Sequence, residues 1–150
     1  GHYTEIIRRG ALDDTDINDT RLMYNHDLNK VPLARTPKTM QLTKGPAGLD
    51  MAAQLPDTEE ARTVYTAVER GDLNGMSFAF VVPPGGDRWD MRTKTREIFK
   101  IEKILEVAVV PFPAYPQASV EARAAMQALD SDERKQAIIA TNKILFNEVF

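Results

Sequence analysis

Three residues in the 150-residue chain carry the functional groups that nucleophilic acyl transfer requires. Ser77 supplies a hydroxyl, His26 an imidazole and Glu106 a carboxylate. A serine hydroxyl is a weak nucleophile until a neighbouring base takes its proton, and histidine is the usual base near neutral pH. A carboxylate that accepts the other imidazole N–H holds the ring in the correct tautomer. These three residues are far apart in the sequence, so the helices and strands of the fold must bring their side chains together.

Ser77 lies in a segment rich in aromatic and β-branched residues, which predicts a strand over 76–82. Side chains alternate between the two faces of a strand, so Ser77 shares its face with Ala79 and Val81, and the two phenylalanines take the core face. We expect the face with Ser77, lined by small or branched side chains, to leave room for a substrate. A serine tolerated on a half-exposed strand would give the same pattern. The α/β-hydrolase elbow is excluded, because a strand rather than a helix follows the serine.

His26 is the only histidine apart from His2 near the start of the chain. It could also be a surface or capping residue, but with only Asp27 beside it no metal site is expected. Glu106 enters an apolar strand, where a carboxylate is costly unless it is paired. Pairing with His26 would explain it, although a glutamate at the strand end could also point to solvent. Glu102, in a less apolar context, is the rival for the same role.

The surrounding elements are predicted to form an α+β fold, a mostly antiparallel β-sheet or barrel. An apolar face and an Asp57 N-cap with Glu60 three residues on predict an inserted helix at about 57–70, closed by Gly71. The Ala-rich segment 119–129 and a stretch after Ser131 predict C-terminal helices. Further strands are predicted at 3–7, 21–26, 39–43, 49–55, 96–101 and 104–110, and the run 107–110 is expected to be buried on both faces. We divide the single domain into a β-core at 1–118 and a helical segment at 119–150.

Composition places the chain among ordinary globular proteins, with 43% hydrophobic and 27% charged residues. The net charge of −3 argues against binding nucleic acid through a generally basic surface. The absence of cysteine excludes disulfides and thiolate zinc sites. No apolar run is long enough to cross a bilayer, so we expect no membrane partner and a cytosolic setting. We expect no cofactor.

The order of several motifs resembles the prohead (capsid maturation) protease family of tailed phages, which is related in fold to the herpesvirus assemblin peptidases. The resemblance covers roughly residues 5–123. It is carried by these segments: Tyr24-Asn25-His26-Asp27, Leu55-Pro56-Asp57-Thr58, Arg70-Gly71-Asp72-Leu73-Asn74-Gly75-Met76-Ser77-Phe78-Ala79-Phe80, Leu105-Glu106-Val107-Ala108-Val109-Val110 and Pro113-Ala114-Tyr115-Pro116.

The resemblance implies an assemblin-like fold and a serine endopeptidase. The histidine of its Asn-His motif is the general base and the serine of its Ser-Phe motif the nucleophile, which places these roles on His26 and Ser77. The acidic residue of its Leu-Glu-Val strand falls on Glu106, which would orient His26. The implied substrates are capsid protein, its scaffold segment and the protease itself, inside the procapsid in the bacterial host cytoplasm. A homo-oligomer is possible by analogy.

The chain departs from the family pattern in three places. Ala108 stands where the family often has serine, so that position does no essential chemistry here. The segment 31–35 lacks the usual glycine, and the family's typical chain carries one or two more strands before Glu5, so we expect a barrel without its first strands.

A non-catalytic capsid-assembly or scaffolding module with the same fold is the alternative to an enzyme, and a small esterase is a weaker one. Arg92 and Arg96 are candidates to stabilise charge on an oxyanion.

Overall fold

The computed structural model describes residues 4–45, 48–112, 119–122 and 139–145 of the chain. Within these residues the secondary structure is one helix and eleven strands. In chain order they are β1 (Thr4–Ile7), β2 (Arg21–Tyr24), β3 (Ala34–Arg35), β4 (Met40–Gly45), β5 (Gly48–Gln54), α1 (Glu59–Arg70), β6 (Gly75–Val81), β7 (Asp87–Asp90), β8 (Thr95–Ile98), β9 (Lys103–Val110), β10 (Ser119–Ala122) and β11 (Ile139–Leu145). The α+β class, mostly β-sheet with one short helix, is confirmed for the described residues.

The strands form two sheets. The larger has eight strands in the order β3-β2-β9-β6-β10-β11-β5-β4, and the smaller has three in the order β1-β8-β7. Neighbours pair antiparallel except for β2 with β9 and β1 with β8, which are parallel. The predicted preponderance of antiparallel pairing is confirmed. β9 lies between β2 and β6, so the segments that carry His26, Glu106 and Ser77 are adjacent in the sheet.

Helix α1 begins one residue later than its predicted cap. The hydroxyl of Thr58, not the side chain of Asp57, accepts the Ala61 N–H at 3.2 Å, and Asp57 instead forms an ion pair with Arg62. The predicted capping box with Asp57 is therefore wrong. Gly71 ends the helix with φ +85°, a left-handed conformation that glycine adopts without steric cost, as predicted. The buried face of the helix consists of Ala61, Val64 and Val68.

The prediction of C-terminal helices is wrong for residues 119–122 and 139–145, which are the part of that segment that the structure describes. Residues 119–122 form β10, which pairs with β6 and with β11, and residues 139–145 form β11, which also pairs with β5. Strand pairing outweighs local helix propensity here, because β10 and β11 satisfy backbone groups of β6 and β5 that would otherwise be open sheet edges. Residues 123–138 and 146–150, also predicted to be helical in large part, lie outside the described residues. The boundary at 118 stays a prediction.

Strand β9 lies between β2 and β6 and carries a run of four buried residues. Val107, Ala108, Val109 and Val110 are all at most 2% exposed, which confirms the predicted burial on both faces. The alternation of its side chains between the two faces of the sheet is broken once, because the pairing with β6 shifts between Ala79 and Phe80. Ala79 faces Glu106 and Phe80 faces Ile104, so Leu105 is an extra residue in a β-bulge.

The three-stranded sheet is held by charged side chains in cross-strand pairs. Glu97 on β8 contacts both Arg8 and Arg88, and these two guanidinium groups, Arg8 foremost, keep the pKa of Glu97 below its ordinary value. On the other face, Arg96 donates to Asp87 at 2.8 Å and to Glu5 at 3.0 Å. In the described part of the chain, no helix is long and apolar enough to span a membrane.

The bulge in β9 predicts opposite outcomes for two neighbouring residues. Ile104 is fully buried in the main core, whereas Leu105 is 44% exposed. We expect Ile104→Ala to lower the free energy of unfolding by about 2–4 kcal/mol through the cavity that it leaves. The matched Leu105→Ala should cost less than about 1 kcal/mol. Urea denaturation measures both, and equal losses would contradict the bulge.

Candidate active site

Ser77 lies in a row of three side chains across the neighbouring strands β6, β9 and β2 of the larger sheet. It is opposite Ala108 on β9, and Ala108 is opposite Met23 on β2. Directly paired residues point to the same face of a sheet, so these side chains share one face. Met23, Ala108 and Val110 form a small buried cluster separate from the main core. Ser77 as a whole residue is 7% exposed, so it lies mostly within the sheet rather than on an open surface.

Glu106 lies two residues before Ala108 on β9 and therefore points to the same face. Its direct partner on β6 is Ala79, which makes Glu106 a diagonal neighbour of Ser77. Cα atoms of diagonal neighbours are about 7–8 Å apart. Glu106 is 6% exposed as a whole residue, which rules out the solvent-facing orientation that the sequence had left open.

The β-bulge explains how one strand serves both the core and this face. Ile104 and Val107 both belong to the main core, although they are three residues apart and strict alternation would place them on opposite faces. The extra residue, Leu105, resets the alternation, so Glu106 points away from the core that Ile104 fills. Bulges commonly re-aim a side chain in this way next to active sites.

His26 follows β2 in a tight turn. Asn25 and His26 have φ values of +52° and +55°, and the Asp27 N–H donates to the Tyr24 carbonyl at 3.1 Å. Positive φ at both central residues is the signature of a type I′ turn. Each left-handed residue other than glycine costs about 1–2 kcal/mol, so the surrounding structure must hold this backbone in place.

The turn brings the imidazole of His26 into contact with Glu106. Nδ1 of His26 is in hydrogen-bond contact with Oε1 of Glu106. An ionised carboxylate only accepts hydrogen bonds, so a contact with ionised Glu106 assigns the proton to Nδ1 and leaves the Nε2 lone pair of a neutral ring free. The His26 side chain is 37% exposed, against 8% for Glu106, so the imidazole forms the solvent side of the pair.

The second carboxylate oxygen of Glu106 has no compensating contact. Among the described residues, its Oε2 is the one buried side-chain oxygen or nitrogen without a hydrogen-bond partner. An unsatisfied buried acceptor costs about 1–3 kcal/mol, and more if it is charged. Stability alone therefore does not account for a glutamate at this position.

The other sequence candidates lie elsewhere. Arg96 is engaged by Glu5 and Asp87 in the three-stranded sheet, and Arg92 is an exposed residue of the β7–β8 turn. Neither is on the strands that carry Ser77 and Glu106. Glu102, the rival acid, is exposed just before β9. In the described ranges, no group of three or more histidine, aspartate and glutamate side chains is arranged to hold a metal ion.

Comparison with known proteins assigns the chain to a family. The model of the caudovirus prohead serine protease family matches residues 1–132. The chain belongs to this family. Among curated proteins, the prohead protease of Enterobacteria phage HK97 is 32% identical over 134 residues, which are 86% of this chain and 56% of that relative. The chain thus spans little more than half of the relative's length, and no solved structure matches it.

The predicted resemblance to prohead proteases is therefore confirmed, and two features of this member were missed in the sequence. The first is the turn at Asn25, where an asparagine before the histidine was a usable signal because asparagine tolerates φ > 0. The second is the bulge at Leu105. Its signal was the pair Ile104 and Val107, two large apolar residues whose spacing does not fit one face of a regular strand.

Replacing Glu106 with methionine should leave stability unchanged or raise it by about 1 kcal/mol. Methionine has a similar volume, and it removes the buried oxygen that lacks a partner. His26→Asn, which keeps a residue that tolerates the left-handed backbone, should lower the free energy of unfolding by about 1–3 kcal/mol because Glu106 loses its donor. Chemical denaturation of both variants tests the pair, and a loss of several kcal/mol in Glu106→Met would show that the carboxylate is needed for folding.

Proposed function

We propose that this chain is the protease domain of a serine endopeptidase that cleaves capsid and scaffold proteins, and itself, during maturation of a phage procapsid. In it Ser77 is the nucleophile, His26 the general base and Glu106 the residue that orients His26. The observation that carries the proposal is the contact of His26 with Glu106 on the sheet face that also bears Ser77, in a member of the prohead serine protease family.

The reaction begins with proton transfer. Nε2 of His26 takes the proton of the Ser77 hydroxyl as its oxygen attacks the peptide carbonyl carbon. Glu106 stabilises the imidazolium that forms, and His26 then gives the proton to the departing amine. Water, deprotonated by His26, hydrolyses the acyl-enzyme and restores the Ser77 hydroxyl.

The burial of Glu106 favours this role. A carboxylate in a poorly hydrated place interacts strongly with a positive charge beside it, because little water screens the pair. The unsatisfied Oε2 reduces stability in the resting protein, and an imidazolium on His26 partly compensates this cost during the reaction. Glu106 is thus already in place to stabilise the positive charge that develops on His26 only during turnover.

The family supplies the setting. The HK97 relative is named a prohead protease, and its name supports a procapsid as the place of action, within the cytoplasm of the bacterial host. Capsid protein and the scaffold segment are the proposed substrates, and a homo-oligomer is a proposed assembly state. An assemblin-like fold is also part of the proposal, supported by the mostly antiparallel sheet and single short helix.

Covalent labelling tests the nucleophile. A fluorophosphonate probe reacts with an activated serine, so we expect it to modify the wild-type chain at Ser77 and to leave Ser77→Ala unmodified. Intact-mass analysis and peptide mapping identify the labelled residue. Modification of Ser77→Ala at an equal rate would refute the assignment. A wild-type chain that is folded, is not labelled and does not cleave capsid protein in a mixed assembly would favour the non-catalytic assembly module.

Two neighbouring glutamates on the same stretch of chain test the third group. Glu106→Gln keeps the shape of the side chain but weakens the stabilisation of the imidazolium, so we expect the labelling rate to fall by about 10²–10⁴-fold. Glu102→Gln is the matched control, because Glu102 is exposed and was the rival in the sequence; its rate should stay within about twofold of wild type. The opposite ranking would assign the role to Glu102.

A further inference from the structure

We propose that Asn25 is a positioning residue, whose left-handed backbone reverses the chain so that the His26 imidazole reaches Glu106. The inference deepens the proposed function, because it explains how the proposed base is delivered to its acid. It stands on the path of the backbone and on the hydrogen bonds of the turn.

The direction of β2 creates the need for a reversal. β2 runs parallel to β9, with Arg21 opposite Glu106 and Tyr24 opposite Val109. Each strand residue advances the chain by about 3.3 Å, so an extended chain would carry residue 26 about 16 Å beyond the level of Glu106. A histidine there could not touch the carboxylate. The observed contact between Nδ1 and Oε1 therefore requires the chain to fold back directly after β2.

Hydrogen bonds fix where the reversal occurs. The Asn25 N–H still donates to the Val109 carbonyl at 2.8 Å, so residue 25 is anchored to the end of β9. The next bond, from the Asp27 N–H to the Tyr24 carbonyl, closes the turn around residues 25 and 26. The Asp27 carboxylate then accepts the Asn29 N–H at 3.0 Å, which orders the chain after the turn.

The residue type at position 25 follows from this backbone. Asparagine enters the left-handed region more readily than other residues with a Cβ atom, and a β-branched residue is strongly disfavoured there. The Asn25 side chain is exposed. We therefore assign its contribution to backbone conformation rather than to a contact made by its amide, and glycine, which adopts φ > 0 freely, should replace it.

A spectroscopic test reports on the position of His26 without using activity. The chain has two histidines, so imidazole ¹⁵N resonances of His2 and His26 can be assigned with a His2→Gln variant. We expect the Nδ1–H tautomer of His26 in the wild type and in Asn25→Gly. In Asn25→Val, and in the milder Asn25→Ala, the Nδ1–H signature should weaken towards that of a free imidazole.

The kinetic test uses the fluorophosphonate labelling rate of the same variants. Asn25→Val should label about 10–100-fold more slowly than wild type, and Asn25→Gly should recover most of that loss. Lys94→Val is the matched control, because Lys94 has the same φ of +52° but lies in the turn between β7 and β8. It should lower the thermal midpoint about as much as Asn25→Val and leave the labelling rate unchanged.

Three outcomes overturn the proposal. Retention of both the tautomer and the rate in Asn25→Val would show that the turn tolerates any residue. Loss in Asn25→Gly as large as in Asn25→Val would assign the role to the side-chain amide. An equal loss of rate in Lys94→Val would make the effect one of general stability. If the wild type is not labelled, the proposed function fails, while the ¹⁵N spectra still decide whether Asn25 positions His26.

Discussion

The carboxylate of Glu106 lies on a strand whose neighbouring residues are mostly apolar, and the imidazole of His26 is the group that compensates its burial. One oxygen is satisfied by Nδ1 and the other is not. Burying a carboxylate on these terms costs free energy that apolar packing elsewhere must offset. The large core on the opposite face of β9, which includes Ile104 and Val107, provides that packing. The polar pair is thus supported by a hydrophobic core that it does not enter.

Two local irregularities of the backbone keep the pair of His26 and Glu106 apart from the hydrophobic core. The bulge at Leu105 changes which face the strand presents, so that Ile104 fills the core and Glu106 leaves it. The left-handed turn at Asn25 and His26 reverses the chain after β2 has passed Glu106, and the His26 imidazole contacts that carboxylate. Both irregularities depart from ideal strand geometry, and both act on the same pair of side chains. The regular parts of the sheet hold the strands in register, and the irregular parts orient the candidate side chains His26 and Glu106.

Ser77, His26 and Glu106 became candidates through the order of the motifs, and the contact of His26 with Glu106 agrees with that expectation. Helix α1 and most strands were also predicted, since amphipathic periodicity and β-branched runs are local signals. The N-cap of helix α1 was predicted one residue too early, because Asp57 and Thr58 are both good caps and only the local geometry selects one. The C-terminal strands were missed, because the Ala-rich composition favours a helix locally, whereas β10 and β11 gain backbone partners in the sheet.

From the sequence alone, the order of the motifs indicated the family by resemblance, and the apolar run 107–110 predicted its own burial, because both are local features of the chain. The tertiary structure decided which residues meet. His26 and Glu106 are eighty positions apart, and their contact depends on the parallel register of β2 with β9 and on the turn that follows β2. Register and chain reversal arise from hydrogen bonds between distant segments, and no local pattern encodes them fully.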